Sequence, residues 1–404
     1  MPEPYAQMPR AGNVEAPTTA PPPRRPPRRC RYADAMSLLY AGIDEAGYGP
    51  LLGPLCVGCA GFVLPGPAGE DGPPCLWKAL SAAVCRATND KRRRIAVEDS
   101  KKLKGAKDAA AHPLRHLERG VLAFASALEP AAGADAATAN ADAAIAAKST
   151  PATTAPTLAT DADLLAALDA PGAATDGPWH AHAAAAPVAL PLGNDPAMQR
   201  IANAMLRATL AKAGVGLAAF RVQAIAARDF NEQAARVGNK ATINFMAAMR
   251  HVDALRRTAA ARGADAWIAL DRQGGRTAYL DPLRTSFPDA RIRVLEESEA
   301  TARYRLEFPA AAAGAHGAAM PAHAATLSFE MGGEERNLPI ALASMAAKLV
   351  RELHMRRLNA YFAAHVPGLA PTAGYVQDGR RWMADVGTAV ERLGIREVEL
   401  VRSI

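Results

Sequence analysis

Apolar and polar positions along the chain follow two rhythms. Leu38 to Ile43 is a short apolar run that stops at Asp44-Glu45, and Leu55 to Leu64 is a second run, with Gly and Pro punctuating the turn between them. Both read as strands. Ala218 to Ala226 (AAFRVQAIA) alternates well enough to predict a third strand. Ala266 to Leu270 is a buried-strand run halted at Asp271, and Arg291 to Leu295 alternates as a fifth strand. Tyr304 to Phe308 and Thr326 to Phe329 predict an added hairpin.

Helical spacing takes over elsewhere. In Lys240 to Arg262 the residues Ile243, Met246, Met249, Val252 and Leu255 are expected on one side of a helix. Asn337-Leu338-Pro339 supplies a cap and an early proline. It opens a long helix through Ile340, Ser344, Ala347, Lys348 and Glu352 towards Phe362. Strands that first cluster and then alternate with helices predict an α/β domain with a mixed sheet.

Two segments fit neither rhythm. Residues 1–35 contain Pro21 to Arg29 (PPPRRPPRR) and read as a disordered tail, with Met36 as an alternative start directly before the first strand. From Glu129 to Asp195 the chain turns alanine-rich: eleven of the twenty residues 131–150 are alanine, with no apolar stripe to bury. This predicts a surface insertion within a body spanning 36–404. Removing 1–35 and 129–195 is expected to leave the fold intact.

Composition then narrows the class. Half of the 404 residues are hydrophobic, enough to build a core. The long uncharged stretch Ala46 to Gly69 is broken by Pro50, Pro54, Pro65 and Pro67, which excludes a membrane span there. The N-terminus lacks the apolar core of a secretory signal, so a cytoplasmic protein is the default. Five cysteines, an odd number, argue against a disulfide framework. Cys56-Val-Gly-Cys59 reads as core, because positions i and i+3 of a strand face opposite sides and no second pair completes a zinc site. His180-Ala-His182 is assigned no role.

The net charge of +7 is unevenly spread. The tail carries six arginines against three acids, and the insertion one lysine against eight acids, leaving about 302 residues at +11. A basic body suits a polyanionic partner, or serves solubility alone.

The candidate chemistry sits at strand ends. Asp44 and Glu45 close the first strand and are followed by Gly47, Gly49, Pro50, Gly53 and Pro54. Glycine there lets a backbone come close to a ligand. Asp271 closes another strand and precedes Gly274, Gly275 and Arg276. Ligands of open α/β sheets bind at strand ends. Acidic strand ends without a His or Cys cluster point to Mg²⁺ or Mn²⁺ held by oxygen, against the alternative of solvated carboxylates.

Four segments carry a family resemblance. Tyr40 to Pro54 (YAGIDEAGYGPLLGP) resembles the signature segment of ribonuclease HII, and Asp99 to Leu103 (DSKKL) resembles its next motif. Ile340 to Glu352 (IALASMAAKLVRE) is similar to its Ala-Ser-x-x-Ala-Lys-x-x-Arg-Asp helix, and Gly374-Tyr375 to the Gly-Tyr that follows. The matches occur in family order. They imply an RNase H-like α/β fold with a five-stranded mixed sheet, order 3-2-1-4-5, flanked by helices and carrying a helical C-terminal extension.

The implied activity is an endoribonuclease that cuts the RNA strand of RNA–DNA hybrids and the 5′ side of ribonucleotides embedded in DNA. It would use two Mg²⁺ or Mn²⁺ ions and leave 3′-hydroxyl and 5′-phosphate ends. Carried over by motif, Asp44, Glu45, Asp271 and Glu352 are the metal-binding and catalytic carboxylates. Gly47, Tyr48 and Gly49 would read the ribose 2′-hydroxyl. Tyr375 would stack on a sugar, and Lys101, Lys102 and Lys348 would meet phosphate or support the site. Ser344, Lys348 and Glu352, spaced by four, share one helix face. A monomer is expected.

The sequence departs from the family at three places. Tyr48 replaces an arginine, Glu352 replaces an aspartate, and the segment after Gly368 lacks the usual lysines. Asp378 is an alternative fourth carboxylate. Two other readings stay open: a hybrid-binding protein that has lost catalysis, and a nuclease or phosphotransferase of the same fold with another substrate.

Overall fold

The computed structural model describes residues 37–403 apart from 70–71, 106–110, 130–157, 173–175, 274 and 313–318. The tail 1–35, Met36 and residues 130–157 and 173–175 of the alanine-rich stretch lie outside the described residues. The strands of the main sheet are β1 (Ser37–Ala46), β2 (Leu55–Leu64), β3 (Gly216–Ile225), β4 (Ala264–Asp271), β5 (Arg291–Glu297), β6 (Thr301–Phe308) and β7 (His323–Glu330). They form one seven-stranded sheet in the order β3-β2-β1-β4-β7-β6-β5.

Half of the sheet follows the expected order and half does not. The run β3-β2-β1-β4 is as anticipated. Beside β4, however, lies β7, paired parallel to it, and the Arg291–Leu295 strand is displaced to the far edge. Burial explains the exchange. Ala325, Leu327 and Phe329 of β7 are fully buried, as an interior strand requires, whereas Val294 and Leu295 of β5 are 45% and 47% exposed. The expected hairpin of β6 and β7 does pair antiparallel, but inside the sheet rather than added to it.

The main helices are α1 (Arg115–Ala125), α2 (Asp161–Ala167), α3 (Pro178–Ala185), α4 (Pro196–Ala213), α5 (Lys240–Ala261), α6 (Leu338–His365) and α7 (Val376–Arg392). Alternation along β1 divides them between two layers. Leu38 and Tyr40 face the core shared with α6, and Leu39, Ala41 and Ile43 face the core shared with α5. Cys56 and Cys59 are buried on these opposite faces as free thiols. Helix α6 packs so tightly on the sheet that a Cβ at Gly42 would overlap the backbone of Pro339 and Ile340.

Two local expectations change. Met246 is 38% exposed rather than on the apolar side of α5, where Ile243, Met249, Val252 and Leu255 are buried. Asn337 occupies the cap position of α6 but makes no capping bond. Its side chain instead accepts from Tyr40 Oη (2.6 Å) and donates to Glu330 Oε2 (2.9 Å).

Residues 158–172 and 176–195, read from sequence as surface insertion, are anchored in the core by part of their side chains. Leu164, Leu165 and Leu168 are fully buried. Asp161 pairs with Arg357 of α6 at 2.8 Å, their side chains 1% and 6% exposed. Glu118 of α1 accepts from the amides of Leu192 and Gly193 and from Asn194 Nδ2. The alanine-rich average conceals these few anchoring residues. At the C-terminus α7 sets Trp382 edge-on to Phe362, forming the expected helical extension. Among the described residues no helix is long and apolar enough to cross a membrane.

Candidate functional site

Strands β1, β4 and β7 are parallel neighbours, so their C-terminal ends emerge at one edge, with Ile43 beside Leu270 and Asp271 beside Glu330. This is where open α/β sheets bind ligands. A cleft of about 240 Å³ opens there. Asp44 and Glu45 enter it from β1 and Asp271 from β4. Glu334 enters from the single helical turn Gly333–Arg336 after β7.

Each carboxylate has a defined support. Asp44 and Glu45, adjacent on a strand, point to opposite layers. Asp44 lies within hydrogen-bonding reach of Ser344 and Glu334 on the α6 side. Glu45 accepts from Asn244 Nδ2 of α5 at 3.2 Å. Asp271 accepts from the Gly333 amide at 3.0 Å, which ties the Glu334 turn to β4. Ser344 Oγ donates to Glu334 Oε1 at 2.6 Å and lies 3.1 Å from Ser100 Oγ.

The electrostatics mark this edge as a place for positive charge. Burial pushes Asp44 well above the usual carboxylate range, and the charges of Glu45 and Glu334 push it further. Burial likewise raises Glu45, against the Asn244 hydrogen bond, with Asp271 and Glu334 adding to the rise. Asp271 is raised by burial and then by Glu334, although the Gly333 amide opposes it. Glu334 thus acts on all three of the others.

Glu352 is not in this group. It does not line the cleft; its carboxylate lies 2.6 Å from Lys104 Nζ and 3.1 Å from Lys348 Nζ. Burial pushes Glu352 upward, but the two lysines outweigh it and hold the carboxyl below its ordinary range. Asp378 does not fill the place either, being engaged by Thr372 Oγ1, the Ala373 amide and Arg381. Of the expected substrate-contacting residues, Gly47, Tyr48, Gly49, Lys101, Lys348 and Tyr375 line the cleft. Lys102 turns away to Glu335, at 2.9 Å.

The glycine loop is fastened from beneath. Gly47 has φ +86°, and a Cβ there would come 2.7 Å from Pro54 O and 2.8 Å from Arg351 Cδ, so glycine is required. Arg351 of α6, itself buried, donates to the carbonyls of Pro54, Leu52 and Ala373. Arg402 donates to Gly47 O and Pro50 O. The Gly374 carbonyl accepts from the Leu51 and Leu52 amides, which brings Tyr375 to the cleft rim.

The donor set suits a hard divalent cation in kind: four carboxylates, crowded and mutually repelling, with Asn244 Oδ1 buried beside them without a hydrogen-bond partner. Among the described residues no three of His, Cys, Asp and Glu already form a coordination group. A cation would therefore have to draw these side chains in. Sequence reasoning missed Glu334, Asn244 and Arg351. Only Arg351 left a signal, as part of the Lys-x-x-Arg stretch of the helix motif.

No protein-family model matches the chain, and no curated protein does. Among solved structures it is similar to a chain of the PCNA:RNase HII complex from Archaeoglobus fulgidus, at 13% identity and TM-score 0.32, covering 90% of this chain and 93% of that one. The ribonuclease H2 from Pyrococcus horikoshii OT3 is similar at 12% identity and TM-score 0.33, covering 90% and 92%. Bst-RNase HIII in complex with Mn²⁺ is similar at 13% identity and TM-score 0.35, covering 93% and 70%.

Proposed function

We propose that the protein is a metal-dependent phosphodiester endonuclease acting on RNA–DNA hybrids and on ribonucleotides embedded in DNA. One observation carries the reading. Three parallel strands bring Asp44, Glu45, Asp271 and Glu334 to one cleft, beside the glycine loop and the helix whose sequences resemble the ribonuclease HII motifs.

In this reading the four carboxylates hold Mg²⁺ or Mn²⁺, with Glu334 in the place expected of Glu352. Cations held there would supply an activated water and offset charge on the scissile phosphate. Water attacks phosphorus while the bond to the 3′ oxygen of the preceding nucleotide breaks, leaving 3′-hydroxyl and 5′-phosphate ends. The chain's own residues position the strand. Backbone amides of the Gly47–Gly49 loop, rigid on Arg351 and Arg402, read the 2′-hydroxyl that separates RNA from DNA. Tyr375 offers a ring at the rim for the sugar to stack on, and Lys101 supplies positive charge.

One observation favours a second reading. Glu352, at the family's fourth carboxylate position, is sequestered by two lysines, which is what a hybrid-binding protein that has lost catalysis would also show. Cleavage of a DNA duplex carrying one ribonucleotide, beside hybrid, double-stranded RNA and plain DNA, with Mg²⁺ and with Mn²⁺, separates them. A cut 5′ to the ribonucleotide that disappears in Asp44→Asn supports the nuclease. Binding without a cut in either metal replaces it with the silent binder, and cutting confined to another substrate redirects it within the fold.

A further inference from the structure

Tyr48 stands where the family resemblance expects an arginine, yet a cation is present at this point of the cleft. Lys240 Nζ lies 4.8 Å from the centroid of the Tyr48 ring, and Tyr48 lines the cleft. Lys240 is the first residue of α5, behind Asn239, whose Oδ1 accepts from the Thr242 amide. One turn further, on the same face, is Asn244, which donates to Glu45. The first turn of α5 therefore overhangs the carboxylates, with Asn244 at its inner end and Lys240 at its outer end.

The charge on Lys240 is unspent. Among the described residues no carboxylate comes within ion-pair distance of it, whereas Lys348 and Lys104 are committed to Glu352 and Lys102 to Glu335. An aromatic face orients an ammonium without neutralising it. The positive end of the α5 dipole adds to the field at the same place. A cation fixed by a ring, one helical turn from the asparagine that holds Glu45, is built to take an anionic group of a substrate whose reacting part lies deeper.

We propose that Lys240, held over the Tyr48 ring, contacts a backbone phosphate of the nucleic-acid strand entering the cleft, in place of the arginine. This rests on the functional reading above. The contact is sequence-independent and adds about one counterion to those released on binding.

The test is binding of a fluorescent RNA–DNA hybrid in the Asp44→Asn background, so that no strand is cut, over a series of salt concentrations. Lys240→Gln, which keeps the stem and the helix, is expected to lower the slope of log affinity against log salt by about 0.9. It should also weaken binding roughly fivefold at low salt. Lys240→Arg should restore both, Tyr48→Phe should retain both, and Tyr48→Ala should lose no further affinity once Lys240 is already glutamine. An unchanged slope in Lys240→Gln, with the parent still binding tightly, overturns this assignment alone. A weakened Lys240→Gln that Arg does not rescue also overturns it, as a structural effect would. Failure of the parent to bind any nucleic acid overturns the functional reading and this inference with it.

Discussion

Lys104 and Glu352, 248 positions apart in the chain, meet in a 2.6 Å ion pair beside the cleft. That pair removes from the cleft the carboxylate most expected there, while Glu334 occupies the edge with Asp44, Glu45 and Asp271. The two glutamates should therefore separate cleanly. Glu334→Gln should lower cleavage by at least about 100-fold with the fold unchanged. Glu352→Gln should keep cleavage within a few-fold and cost about 1 kcal/mol of stability, since it frees two partly buried lysines. Single-turnover rates and urea melts of both variants decide it; the reverse pattern would return Glu352 to the metal site.

The buried pair Asp161–Arg357 gives the second prediction. With side chains almost wholly enclosed, Asp161→Ala leaves a guanidinium uncompensated and should cost about 3–5 kcal/mol. Deleting 129–195 should accordingly abolish cooperative unfolding. Replacing only 130–157 with a Gly/Ser linker should preserve it, because the buried leucines and the Asp161–Arg357 pair that fasten this segment all lie after residue 157. Denaturation of the two deletions side by side is the measurement. A stable protein lacking 129–195 would refute the role given to this segment.

Acid should destabilise the protein through a histidine pair. His180 and His354 face each other with ring centroids 5.2 Å apart. Burial, then Arg357, lowers His180 to about 4, and burial, then His180 and Arg357, lowers His354 to about 3. Both are neutral in the folded chain at pH 6, whereas unfolded histidine takes a proton near pH 6.5. The unfolded state thus binds more protons below about pH 6.5, and stability falls as pH drops from there towards 4, by on the order of 3 kcal/mol per histidine. His180→Leu should flatten the fall in urea midpoint between pH 7 and 5. An equally steep fall in that variant would exclude the pair as its source.

Gly42 should tolerate no side chain. A Cβ there collides with the backbone of Pro339 and Ile340, which has no rotamer to yield, whereas a Cβ at Gly49 meets nothing within 4 Å. Gly42→Ala should cost about 3 kcal/mol or more, and Gly49→Ala less than about 0.5 kcal/mol. Thermal melts of the pair check the closeness of α6 to β1.

Much of the fold was legible along the chain because its cause is local. The apolar runs of β1 and β4 announce strands that end at Asp44-Glu45 and at Asp271, and those carboxylates do meet. The 337–362 pattern announces α6 for the same reason. What the chain does not announce is which strand lies beside β4. Period constrains a strand's faces, not its neighbours, and only burial between two partners selects β7 over β5. That choice brings the turn after β7, and with it Glu334, to the edge where Asp44, Glu45 and Asp271 meet. The rotation of α6 is likewise a tertiary result: it sets Ser344 and Lys348 on the cleft and turns Glu352 to Lys104, although the spacing by four puts all three on one face. Lys240 and Tyr48 meet only because α5 packs across β1. A residue's chemical type is carried by its letter, but its partner is chosen by packing between elements far apart in sequence.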